Sequence, residues 1–180
     1  VKYNASLAAE EGFLPGASDM RTELTKIKSA TPDGIFIAAY APVVGVLAKQ
    51  ASALGIKSAL VCGSACDISD LIKSGGISTE DMIVIAPTAV TSAAFVQRYS
   101  DQYKSDDINY LTTRNYDAIM IIASAMDACA NDADYGKCLK DKIHSMKDFS
   151  GTSFPMSFDD NGNIKETYVV KKVVNGVLKV

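Results

Sequence analysis

Short apolar runs that stop at Gly, Pro or Tyr, each followed by a helical stripe, constrain this chain more than any other feature. Ile35 to Ala39 is one such run, and it ends at Tyr40-Ala41-Pro42. Val43, Leu47, Ala51 and Leu54 then mark one face of a helix that Gly55 closes. Ser58 to Cys62 is the next run, ending in Gly63-Ser64-Ala65. A short helix with Ile68, Leu71 and Ile72 inward follows and stops at Gly75-Gly76. Met82 to Ala86 is broken by Pro87, and Phe95, Val96 and Tyr99 mark a further helix. Upstream, Leu7 to Phe13 reads as a strand and Pro15-Gly16 as a turn. Ser18 or Asp19 is placed to cap a helix carrying Met20, Leu24 and Ile27, which Pro32 ends. Repeated strand–helix alternation predicts a mostly parallel sheet with right-handed crossovers. An uninterrupted apolar run such as Ile35 to Ala39 is expected in a strand covered on both faces.

After Lys104 the texture changes. A long apolar helix is expected from Tyr110 to Cys129, and a shorter one from Tyr135 to Met146. Phe154 to Phe158 reads as a strand, with a polar turn at Asp159-Asp-Asn-Gly162. Thr167 to Val173 and Val177 to Val180 flank Asn175-Gly176, a type I′ hairpin signature, so the tail closes as an antiparallel pair. The chain opens Val1-Lys2-Tyr3-Asn4 without an initiator methionine. Val1 to Tyr3 reads as the last turn of a helix, as expected of a mature or cut piece.

Several function classes are disfavoured. The net charge is −3 and the lysines and arginines form no basic stripe, so nucleic acid is not an expected partner. The longest apolar helical candidate, Ala118 to Ala130, contains Asp127 and falls short of the roughly 18 residues of a membrane span. No phosphate loop and no dinucleotide fingerprint is present, and the turn at Gly63-Ser64-Ala65-Cys66 lacks the second glycine of a nucleophile elbow. Ser64 or Cys66 as a nucleophile would need His144, the single histidine, as base, and that residue lies in a charged helical stretch far along the chain. Asp159 to Asn163 mimics half a calcium loop without its closing glutamate and reads as a polar turn. Enzymatic turnover, a cofactor and a metal are therefore not expected.

Four cysteines form two local pairs, which fits an oxidising compartment. Cys129 and Cys138 bracket a helix-to-helix loop and are expected to be bridged. Cys62 and Cys66 are as consistent with a disulfide as with two buried thiols. Neither pair has zinc-site spacing.

What remains is a rim. Tyr40-Ala41, Ser64-Ala65 and Ala86-Pro87-Thr88 all fall at carboxyl ends of expected strands, where open parallel sheets bind ligands. Tyr40, Ala41, Ser64, Ala65 and Thr88 are the candidate ligand-binding residues: a phenol ring, hydroxyls and free backbone groups suit a small polar organic molecule. Tyr40 is also a residue that could simply cap the core.

Phe13-Leu-Pro-Gly16, Asp19, Leu24 to Lys28, Pro32-Asp33, Tyr40-Ala-Pro42, Lys49-Gln-Ala51 and Leu54-Gly-Ile56 resemble the type I periplasmic solute-binding proteins. The nearest group is the branched-chain amino acid receptors of ABC transporters. Tyr116-Asp-Ala118, Phe149-Ser-Gly151, Ser157-Phe-Asp159 with Asn161-Gly162, and Val173-Val-Asn-Gly176 follow in the family's order. The resemblance implies an α/β fold, flavodoxin-like, with a parallel sheet and helices on both faces, in an incomplete two-lobed and hinged architecture. Residues 1–104 would hold most of the second lobe without its first strand and helix. Residues 105–180 would hold the carboxyl-terminal part of the first lobe and the closing hairpin. The resemblance also implies an extracytoplasmic receptor, periplasmic or extracellular, with lipid anchoring left open. It would deliver a small ligand such as an amino acid to a membrane permease. A ligand-binding sensor of the same fold is the alternative, and an enzyme on the same scaffold a more distant one. The family tyrosine that packs on ligand matches Tyr40. The family acid that pairs with the ligand amine matches Ser64, and Asp67 is placed either to substitute for it or to cap the next helix. A sheet lacking its central strand would expose edges and an apolar face, so this chain alone is expected to associate, for example as a homodimer.

Overall fold

The computed structural model describes residues 5–88, 91–152 and 155–180, and the expected turn at Val1 to Tyr3 lies outside them. In chain order the elements are α1 (Arg21–Ser29), β1 (Gly34–Ile37), α2 (Ala41–Ala53), β2 (Ala59–Cys62), α3 (Asp70–Gly75), β3 (Ile83–Pro87), α4 (Ala93–Tyr103), α5 (Tyr110–Cys129), α6 (Tyr135–Ser145), β4 (Phe149–Ser150), β5 (Pro155–Met156), β6 (Tyr168–Val174) and β7 (Val177–Lys179). They form two units, one of residues Val1–Ala86 with Tyr168–Val180, the other of Pro87–Thr167.

The first unit is built on a sheet of order β1-β2-β3-β6-β7. β1, β2 and β3 run parallel, with Ile37 beside Cys62 and Cys62 beside Val84. β6 runs antiparallel to β3, since Val173 donates to the Met82 carbonyl at 3.0 Å and accepts from Asp81 N–H at 3.0 Å. The tail hairpin thus shares a sheet with the first three strands. Asn175 and Gly176 both have positive φ (53° and 70°), as a type I′ turn requires, and the Glu80 carboxylate accepts both their N–H groups.

One sheet face carries the core: Ile37, Cys62, Val84, Ala86 and Val173 pack with Met20 and Leu24 of the α1 region, Val44, Leu47 and Ala48 of α2, and Leu71 of α3. α2 ends in a left-handed cap at Gly55 (φ 69°). The Gly55 N–H reaches the Ser52 carbonyl and the Ile56 N–H reaches that of Ala51, at 2.9 and 3.0 Å. Gly45 lets α3 approach closely. A Cβ there would lie 2.6 Å from Gly75 N and 2.8 Å from the Leu71 carbonyl oxygen.

The opposite sheet face is bare among the described residues: Phe36, Ile85, Tyr168 and Val170 are exposed, Phe36 at 64%. Within this chain the Ile35–Ala39 run is therefore covered on one face, and the exposed apolar face expected of the chain alone is the other. The Leu7–Phe13 strand is corrected. This segment joins no sheet among the described residues, and Leu7 is 79% exposed. Its side chains are tethered by the Glu11–Lys26 ion pair at 2.9 Å and by Phe13, which packs against the core. Between it and β1 lies a groove of about 1000 Å³, floored by Met20, Leu24, Ile27 and Leu47. A strand exists only through a hydrogen-bonded neighbour, and across that groove there is none.

The helix start expected at Ser18 or Asp19 moves to Arg21, with Met20 at the cap. The reason is Gln50, whose amide is buried. Its oxygen accepts the Met20 N–H and its nitrogen donates to the Ser18 carbonyl, both at 2.8 Å. Asp19 instead accepts the Arg21 N–H at 3.1 Å.

In the second unit Ser92 caps α4 and Asn109 caps α5, each through its side-chain oxygen. Phe95 is buried and meets the Tyr116 ring edge-on, centroids 5.0 Å apart. Asp117, buried on α5, accepts the Thr152 N–H at 2.7 Å and its hydroxyl at 2.9 Å, which fixes the chain between β4 and β5. The Phe154–Phe158 strand is shorter than expected, reduced to β5 and a bridge from Phe158 to Ile164; Phe154 lies outside the described residues. Cys129–Cys138 is a disulfide joining α5 to α6.

Candidate functional site

β1 and β2 are parallel and adjacent, so the residues that follow Ile37 and Cys62 leave the sheet at the same end. Tyr40 comes three residues after Ile37. Its backbone is extended (φ −80°, ψ 150°), and its carbonyl accepts from Val43 and Val44 at 3.0 and 3.1 Å. Pro42 stands in the first turn of α2, where the missing N–H costs no helical bond and the fixed φ favours initiation. The backbone of Tyr40 is therefore set by α2, while its side chain is 78% exposed. The alternative in which Tyr40 caps the core is excluded by that exposure. Ala41 differs: its side chain is fully buried in the core, so only its backbone can belong to a rim.

Ser64 and Ala65 lie in a 3-10 turn, Ser64–Cys66, directly after β2, and both are half-buried. Cys62 and Cys66 are bridged in this structure, and both are fully buried. Cys66 is thus no thiolate nucleophile. Ser64 has no histidine in its unit, because His144 belongs to α6 of the other.

Asp67 follows the bridged turn. Its carboxylate is 7% exposed and takes the Lys171 ammonium on both oxygens, each at 2.8 Å. The helix-capping role is corrected: α3 begins at Asp70 with Ser69 at its cap, and the Asp67 side chain points to β6 instead. Lys171 is the residue that sequence reasoning missed. It shares a face of β6 with buried Val173, two residues on, and a lysine at an inward position demands a buried anion.

Thr88 follows β3 and belongs to the second unit. Its N–H donates to the Thr167 carbonyl at 2.8 Å and its hydroxyl lies 3.0 Å from that of Thr167. The structure thus brings Tyr40, Ser64 and Ala65 to the same end of one parallel sheet, and gives the Thr88 hydroxyl a protein partner. What this rim offers is a solvated aromatic face with a phenol, a serine hydroxyl and backbone groups, which suits binding rather than bond making.

The sequence matches the periplasmic binding protein family over residues 2–176. The Leu/Ile/Val-binding protein of Escherichia coli (strain K12) is 23% identical over 167 residues, 91% of this chain and 44% of that protein. A leucine binding protein from Thermotoga maritima superposes with a TM-score of 0.80 at 27% identity, covering 93% of this chain and 49% of that one. A solute binding protein of an ABC transporter from R. palustris, in complex with benzoate, gives a TM-score of 0.75 at 15% identity, over 91% and 46% of the two chains. The chain spans about half the length of the relatives it matches.

Proposed function

The chain belongs to the periplasmic binding protein family, and from that premise we propose that the whole protein is an extracytoplasmic solute-binding receptor. It captures a small polar ligand, an amino acid or a similar molecule, and presents it to the membrane permease of an ABC transporter. It binds without turnover. The unit of residues Val1–Ala86 with Tyr168–Val180 carries most of one lobe, and Pro87–Thr167 contributes to the other, so the tail hairpin belongs with the first three strands and not with the second half of the chain. Tyr40 packs its ring on the ligand, Ser64 and Ala65 line the neighbouring strand end, and the Ala41 backbone completes the helix start.

The observation that carries this reading is Tyr40: a large aromatic side chain left 78% exposed on a backbone fixed by α2, at the carboxyl end of a parallel strand. A ring in water at that place gains free energy only when something covers it. The test is calorimetry on the full-length protein with the ligand released from purified material. Tyr40→Ala should weaken binding tenfold or more, corresponding to loss of an aromatic contact worth about 1.4 kcal/mol. Unchanged affinity would remove Tyr40 from the site.

A further inference from the structure

Lysine is seldom held inside a domain, and Lys171 is held there on a backbone that cannot yield. β6 is an interior strand of the first unit's sheet, between β3 and β7. On one side Val173, two residues on, donates to the Met82 carbonyl at 3.0 Å; on the other, Lys172 stands opposite Lys179. The Lys171 ammonium is 20% exposed and donates to both oxygens of Asp67, each at 2.8 Å. The Asp67 carboxylate, 7% exposed, is thereby committed to a partner on a fixed strand.

The other end of the pair is the turn that follows β2. Two short-range bonds close it: the Cys66 N–H donates to the Gly63 carbonyl at 3.0 Å, and the Asp67 N–H to the Ser64 carbonyl at 2.9 Å. Bonds of this 3-10 kind have poorer geometry than helical ones and specify a short run weakly. The Cys62–Cys66 bridge closes the same stretch on itself. The Asp67 side chain instead reaches out of the turn to β6, past β3, which lies between β2 and β6 in the sheet. An apolar pair of similar volume would stabilise the unit as well as these ions do. What the ions add is direction, because a carboxylate with both oxygens on one ammonium has a set orientation. Resting on the receptor reading above, we propose that Lys171 is a positioning residue. Acting through Asp67, it fixes the turn that carries Ser64 and Ala65, and with it the rim at the sheet end that Tyr40 shares. Lys171 itself touches no ligand.

The experiment compares four full-length proteins by backbone amide hydrogen exchange: wild type, Lys171→Arg, Asp67→Asn/Lys171→Met and Glu80→Ala. The double variant leaves no buried charge unpaired. Glu80→Ala weakens the same sheet at the Asn175-Gly176 turn, whose N–H groups Glu80 accepts, without touching the turn after β2. The Cys66 and Asp67 amides should exchange about tenfold faster or more in the double variant, and at the wild-type rate in Lys171→Arg and Glu80→Ala. Unchanged rates in the double variant overturn the proposal. Equal acceleration in Glu80→Ala also overturns it, since the pair would then act only on the stability of the unit. Calorimetry with leucine and with benzoate is the second readout. A probe that binds wild type should bind the double variant about tenfold more weakly or worse, with Lys171→Arg restoring affinity to within about threefold. Equal affinity in wild type and double variant overturns the positioning role. The amide rates decide the proposal whether or not either probe binds, so its failure and the failure of the receptor reading are told apart.

Discussion

Replacing Lys171 by Met should destabilise the first unit far more than a surface ion pair would. The Asp67 carboxylate is 7% exposed, and the Lys171 ammonium donates to both its oxygens at 2.8 Å. Removing the lysine leaves a nearly buried carboxylate without compensation, a change that costs roughly 3–5 kcal/mol, against about 0–1 for an exposed pair. With a urea slope of about 2 kcal/mol/M, the midpoint falls by roughly 1.5–2.5 M. Removing both charges as Asp67→Asn/Lys171→Met spares the unpaired ion. The double variant should recover most of the loss and lie within about 1–2 kcal/mol of wild type. Urea unfolding followed by circular dichroism on the four proteins of the cycle measures this. If Lys171→Met costs under about 1 kcal/mol, or the double variant is no more stable than the single, the pair is solvated and Asp67 is not committed as described.

Two further outcomes follow from the second unit. Cys129→Ser/Cys138→Ser opens a loop of sequence separation 9 and should cost about 2–3 kcal/mol in the same unfolding assay; equal stability of the bridged and open forms would contradict it. The Asp159 carboxyl is held below its ordinary value of 3.8, first by the Asn163 N–H, then by the Asn163 side chain and the Asn161 N–H. Because its folded value is depressed, the turn's contribution is present above the ordinary aspartate value and is lost as pH falls through the folded one. An NMR titration of the Asp159 carboxyl carbon should show a midpoint below 3.8, and a midpoint at or above that value would refute the geometry.

Elements fixed by local chemistry were legible in the sequence. The long helix α5 has the expected bounds, because an Asn cap and a continuous apolar pattern set them within its own residues. The Asn175-Gly176 hairpin is equally local, since two positive φ values specify the turn. Misread features depend on distant partners. Leu7 to Phe13 has strand composition but faces a groove. The start of α1 is set by Gln50, which lies 30 residues away from Met20. Asp67 sits where a helix cap is expected, yet its partner lies 104 positions on, in β6. At the candidate site the order of strand ends was readable from the apolar runs. That Ala41 is buried while Tyr40 stands in solvent was not, because the first turn of α2 divides them and only packing decides which faces the core.

The most direct test of the account is native mass spectrometry of freshly purified full-length protein, set beside a denatured control. One small organic molecule is expected bound per protein and lost on denaturation, with its mass identifying the ligand class. A protein whose native and denatured masses agree, and which takes up no small molecule from an added panel, would contradict the reading of this chain as part of a solute receptor.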